Sequence, residues 1–146
     1  MSEFKKISDD LSVAGQISDE QIPELAAAGF KSVLNLRSPE EQGFLQNEKE
    51  QAEAAGLEYA NVPLNPQIPN QHLTAEAIQA IKALHKPVFI HCAAGARAGG
   101  IALISNAIDD GLTYEQIVKK ATELGINLEQ PHLRQFLLDK FAIKQD

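Results

Sequence analysis

The chain has 146 residues, 44% hydrophobic and 23% charged, with a formal net charge of −7 at pH 7. That length suits one domain with its own core, expected over residues 1–146, and the acidic balance argues against broad nucleic-acid binding. No run approaches the ~18 apolar residues of a membrane span, and a lone cysteine excludes an internal disulfide. The amino terminus, Met1-Ser2-Glu3-Phe4-Lys5-Lys6, has no apolar signal region, so a cytoplasmic location is expected.

Leu11–Val13 reads as a short first strand. Ser18 with Gln21 three residues later has capping-box spacing and opens a helix through Ala28, which Gly29 stops. Ser32–Leu36 is short and apolar, as a buried strand is. Ser38-Pro39-Glu40-Glu41 turns the chain and starts a helix, broken near Gly43, that runs to Ala55 and ends at Gly56. Leu57–Val62 reads as a strand, and Pro63, Pro66 and Pro69 force a loop after it. Thr74 caps a helix to Leu84, with Ala77, Ile78, Ile81 and Leu84 along one stripe. Val88–His91 is the next strand, and helices follow at Ala98–Asp109, Thr113–Leu124 and Pro131–Phe141. This alternation predicts an α/β fold: a mainly parallel central sheet of about four strands, with helices on both faces.

The segment from His91 to Gly100, His-Cys-Ala-Ala-Gly-Ala-Arg-Ala-Gly-Gly, holds the only cysteine and one of three arginines. A strand, a tight loop of small residues and a helix N-terminus form an anion site, because backbone N–H groups and the helix dipole point into the loop. The same dipole favours a thiolate at Cys92. Arg97 adds a planar fork of donors suited to phosphate or sulfate. Cys92 and Arg97 are therefore the candidate catalytic residues, with Ala93, Ala94, Gly95, Ala96 and Arg97 as the anion-binding loop. Gly95 suits a backbone shape that a side chain would obstruct. Gly99 and Gly100 suit close packing of the first helical turn on the sheet. Arg37, just past the second strand, either binds a substrate anion or pairs with Glu40 or Glu41 to brace the loop; bracing is the expectation. In an open α/β sheet ligands bind at the carboxyl ends of strands, where Cys92, Arg37 and the proline-rich loop all fall. His72, Asn65, His85 and His132 read as solvated surface residues. No His/Cys/Asp/Glu cluster has metal-ligand spacing, so neither metal nor cofactor is expected.

The loop, with Val13-Ala14-Gly15-Gln16 and Ala28-Gly29-Phe30-Lys31-Ser32-Val33-Leu34-Asn35-Leu36-Arg37, resembles the bacterial beta-lactamase hydrolase-like protein, phosphatase-like domain family (DUF442). That family is related to the cysteine-dependent dual-specificity protein phosphatases. The resemblance covers roughly residues 8 to 110 and rests on a His-Cys-x-x-Gly-x-Arg pattern with four residues between Cys92 and Arg97. It implies a protein-tyrosine-phosphatase-like fold and a hydrolase that forms a phosphocysteine at Cys92. The substrate would be a phosphorylated small molecule or a phosphoprotein. It also implies a supporting role for His91, which in such families orients the loop and helps keep the thiolate ionised. Gln16 lies in a matching segment, but no chemistry follows for it.

Two departures bear on rate. Ala98 stands where cysteine phosphatases usually carry Ser or Thr, whose hydroxyl helps the thiolate leave. The loop where they usually carry an acidic Asp, residues 63–73 here, contains neither Asp nor Glu. Asp109, about twelve residues past Arg97, would lie roughly 18 Å along the helix. Glu40, Glu41 and His72 are the remaining acid candidates. A placed acid is worth about 10²–10⁴ in rate, so turnover should be slow, and fastest where the leaving group needs no proton. Two further readings of Cys92 fit the same loop: a rhodanese-like sulfurtransferase carrying a persulfide, and an anion-binding module with little catalysis.

Overall fold

Short apolar strands alternate with amphipathic helices because each strand must cover both of its faces. The computed structural model describes residues 4–64 and 71–141. Its elements are β1 (Lys5–Lys6), β2 (Leu11–Ala14), α1 (Gln21–Ala27), β3 (Ser32–Asn35), α2 (Glu48–Ala54), β4 (Glu58–Asn61), α3 (Gln71–Ala83), β5 (Val88–His91), α4 (Ala96–Asp110), α5 (Tyr114–Leu124) and α6 (Pro131–Lys140). The sheet order is β1-β2-β5-β3-β4, parallel except for β1, which pairs antiparallel with β2. The expected four parallel strands are present, and two lysines add a short fifth at the edge.

Strand alternation divides the core in two. Val13, Leu34 and Ile90 are in register across β2, β3 and β5 and join the cluster that holds Ile78, Ile81, Ile101, Ile104 and Leu133, under α3, α4 and α6. Val33 and Phe89 face the other way, with Ile22, Leu25 and Ala52 of α1 and α2. On that second face the last register row of β2, β5 and β3 is Ala14, His91 and Asn35. The chain thus sets polar side chains beneath α1 and α2 at the carboxyl edge of the sheet.

Three local expectations are corrected. The helix expected from Ser38 is confined to Glu48–Ala54. Gly43 has φ +91°, which no helix accommodates, and the side chain of Glu41 turns back to accept the Ser38 N–H. α3 starts at Gln71, so Thr74 is buried within its first turn and does not cap it. Gly99 and Gly100 pack on the carboxyl-terminal segment and not on the sheet: a Cβ at Gly99 would lie 3.3 Å from Ile126, and one at Gly100 2.4 Å from Leu133. Of the Ser18 box, Gln21 accepts the Ser18 N–H at 2.7 Å, and the helix begins at Gln21. A reciprocal box forms at α5, where Thr113 Oγ1 accepts the Gln116 N–H and Gln116 Oε1 accepts the Thr113 N–H. Among the described residues no helix is long and apolar enough to cross a membrane.

Candidate active site

β5 lies between β2 and β3, so Cys92 leaves the sheet at its middle. The Cys92 N–H reaches Ala14 O at 3.3 Å, and Gln16 N–H donates to Ala93 O at 3.0 Å, which clamps the loop against the end of β2. Gly95 turns the chain into α4 with φ +100°, in the left-handed region. Gly15 is held to glycine by space: a Cβ there would meet the backbone oxygen of Ala93 at 2.8 Å. Gly15→Ala should therefore push the loop outward, costing ~1–3 kcal/mol as overpacking does. A thermal melt checks this, and an unchanged midpoint would refute it.

Cys92 is 1% exposed at the floor of the loop. Its Sγ accepts the Gly95 N–H at 3.1 Å and the Ala98 N–H at 3.4 Å. The N–H groups of Ala93, Ala94, Ala96 and Arg97 have no protein acceptor among the described residues. Amides without an acceptor, at the N-terminus of a fifteen-residue helix, can take an anion beside sulfur.

Arg97 is buried and held on one side. Nη1 donates to Glu41 Oε2 at 2.8 Å and to Leu64 O at 2.7 Å, with Leu36 O at 3.4 Å, and Nη2 donates to Glu41 Oε1 at 2.9 Å. Its Nε–H and second Nη2–H face no protein oxygen among the described residues, leaving one edge of the fork for an anion. Burial opposes the charge on Arg97, yet the hydrogen bond to Glu41 and the nearby Cys92 sulfur hold its pKa above the ordinary arginine value. At Glu41 burial likewise opposes ionisation, but Arg97, the Ser38 N–H and Arg37 outweigh it and bring the carboxyl down to about 2. Glu41 thus holds no proton to give near neutral pH, which removes it from the acid candidates. Glu40 is exposed, and His72 is exposed in the first turn of α3.

Arg37 braces its surroundings. Nε donates to Glu41 Oε1 at 3.3 Å, Nη1 to Gln16 Oε1 at 2.8 Å, and Nη2 to Gln42 O. Gln16 thereby acquires a role that its sequence context does not reveal. Its Nε2 donates to Ile17 O at 2.9 Å and to Glu48 Oε1 at 3.4 Å. Glu48, also unpredicted, is 1% exposed, and its Oε2 lies 2.6 Å from Nε2 of His91, itself fully buried. The signal for Glu48 is its helical position: with Ala52, four residues on, it forms the buried face of α2. Asn65 lies outside the described residues, as does the side chain of His132. His85 is an exposed residue paired with Glu58 at 2.8 Å.

A model of the family described as "Beta-lactamase hydrolase-like protein, phosphatase-like domain" matches residues 3–109. A "Beta-lactamase hydrolase-like protein" of Agrobacterium fabrum is 36% identical over 117 residues, which are 77% of this chain and 27% of that protein. The chain thus spans about a quarter of the length of that relative. A solved structure of a DUF442 protein from Shewanella putrefaciens CN-32 superposes with TM-score 0.76 at 22% identity, covering 98% of this chain and 91% of the other. The structure of Tk-PTP in its active form gives TM-score 0.78 at 18% identity, covering 97% of each chain.

Proposed function

This chain belongs to the beta-lactamase hydrolase-like protein, phosphatase-like domain family, and from that premise we propose that it hydrolyses phosphomonoesters with Cys92 as nucleophile. The observation that carries the reading is the pairing of Sγ, beneath the Gly95 and Ala98 amides, with an Arg97 fork whose outer edge Glu41 already holds. A phosphoryl group bound there has its equatorial oxygens on the loop amides from Ala93 to Arg97 and on Arg97 Nε and Nη2. Catalysis is then positioning and electrostatic stabilisation. The thiolate forms an S–P bond as the ester P–O bond breaks, and the leaving oxygen departs with the electron pair. Water then attacks phosphorus, the S–P bond breaks, and phosphate and thiolate are released. Arg37 braces the arrangement through Glu41 and Gln16, and His91 supports the loop from behind.

No carboxylic acid is placed to protonate the leaving oxygen among the described residues, and residues 65–70 contain none. Substrates are therefore phosphorylated small molecules or phosphoproteins whose leaving group departs with little proton help, and alkyl phosphates turn over slowly. Ala98 offers Sγ an N–H and no hydroxyl, so breakdown of the phosphocysteine limits the rate with activated esters. The test is rapid-mix hydrolysis of para-nitrophenyl phosphate without added metal, with acid quench. A burst of nitrophenolate stoichiometric with enzyme, and phosphate on the peptide carrying Cys92, is the expected result. Turnover with neither burst nor phosphopeptide, equally fast on an alkyl phosphate, would overturn the reading.

A further inference from the structure

We propose that Glu48 is a positioning residue for the Cys92 thiolate, acting through the ring of His91. Its consequence for turnover rests on the phosphatase reading; its effect on the thiol does not. A carboxylate at 1% exposure is costly unless paired, and Glu48 occupies the inward stripe of α2, where alanine otherwise serves. Its partner is His91 Nε2, at 2.6 Å. The other ring nitrogen, Nδ1, faces the carbonyl oxygen of Cys92 at 3.4 Å. Both nitrogens thus lie beside oxygen atoms, and the short contact with Glu48 fixes the orientation of the ring beside the Cys92 backbone. The ring stands between the Cys92 backbone and Glu48, which anchors it to α2.

The second carboxylate oxygen ties the pair to the arginine side of the site. Glu48 Oε1 accepts from Gln16, Gln16 accepts from Arg37, Arg37 donates to Glu41, and Glu41 holds Arg97. Glu48 thus lies on one hydrogen-bonded chain, buried at His91 and half-buried beyond it, that joins the residue before Cys92 to the fork of Arg97. Around His91 and Cys92 the ionisable groups are Glu48 from α2, Tyr59 from β4, Arg37 and Glu41 from the segment after β3, and Arg97 from α4. Burial, and then the charge on Glu48, push the Tyr59 hydroxyl up to about 12, so it stays protonated across the working range.

The test titrates the thiolate by its ultraviolet absorbance in wild type, Glu48→Gln, His91→Asn and the double variant, with Cys92→Ser as blank. Glu48→Gln is expected to move the titration midpoint to higher pH. It should also lower kcat about tenfold, the value of one hydrogen bond to a charged group, with KM within about twofold. The double variant should titrate as His91→Asn alone, because the effect passes through that ring. An unmoved midpoint in Glu48→Gln, or a shift that adds to that of His91→Asn, overturns the proposal. Glu48→Asp keeps the charge but draws it back from Nε2, and serves if the glutamine variant does not fold. A midpoint between wild type and His91→Asn supports the proposal; a wild-type midpoint with only a lowered melting temperature overturns it. A shifted titration in a protein without phosphomonoester turnover would remove the phosphatase reading and sustain this one.

Discussion

Cys92→Ser should abolish para-nitrophenyl phosphate hydrolysis, by at least about 10³-fold in kcat, while the protein melts within a few degrees of wild type. Oxygen replaces sulfur in nearly the same volume, so the Gly95 and Ala98 amides keep an acceptor and the 1%-exposed site keeps its packing. What is lost is the proposed nucleophile. A thiolate is stabilised by those two amides and the helix end, whereas a serine hydroxyl stays protonated near neutral pH and has no base beside it: His91 points to Glu48 on the opposite face of the sheet. Glu41, the nearest carboxylate to Arg97, is engaged by both arginines and cannot take the proton. Turnover by wild type and its loss in the variant, measured without metal, is the expected result. Full turnover in the variant would assign the chemistry elsewhere. No turnover in either protein, with a persulfide on Cys92 after thiosulfate treatment, would favour the sulfurtransferase.

Arg97→Lys should lower kcat about 10²–10³-fold, the cost of removing a placed oxyanion donor. The change preserves charge and discards geometry. The guanidinium presents one edge to Glu41 and the Leu64 carbonyl and leaves the other for the proposed anion, and an ammonium cannot serve both. The same variant has a stability signature. Glu41 is held at about 2 against an ordinary 4.5, a depressed carboxylate, so its pairing stabilises the fold fully above pH 4.5 and the contribution is lost as pH falls toward about 2. With lysine at 97 only Arg37 and the Ser38 N–H remain on Glu41, so melting temperature should fall less steeply with acid over that window than in wild type. Identical acid profiles in the two proteins would show that the Arg97–Glu41 pair adds no pH-dependent stability. A kcat within a few-fold of wild type would remove Arg97 from the chemistry.

The local sequence already determined the strand, loop and helix around Cys92, because each depends on neighbours: β-branched and aromatic residues at 88–90, small residues at 93–96 and apolar residues from 101. It also determined the alternation that builds a parallel sheet, and the pattern of residues that marks the family. The helix start at Ser38 was misread because propensity there is overruled by a distant partner: Arg97, fifty-six residues from Glu41, turns that segment back on the site. The packing of Gly100 was misread for the same reason, since Leu133 meets it from thirty-three residues away. Only the tertiary structure decided which acid does what. Glu40, Glu41 and Glu48 look alike along the chain, yet one is exposed, one clasps two arginines, and one is buried against His91 across forty-three residues. The strand period sends His91 to the face that α2 covers, and the parallel crossover brings α2 there. Those pairings depend on which elements become neighbours, and a hydrogen bond between side chains so far apart leaves no periodic trace in the sequence.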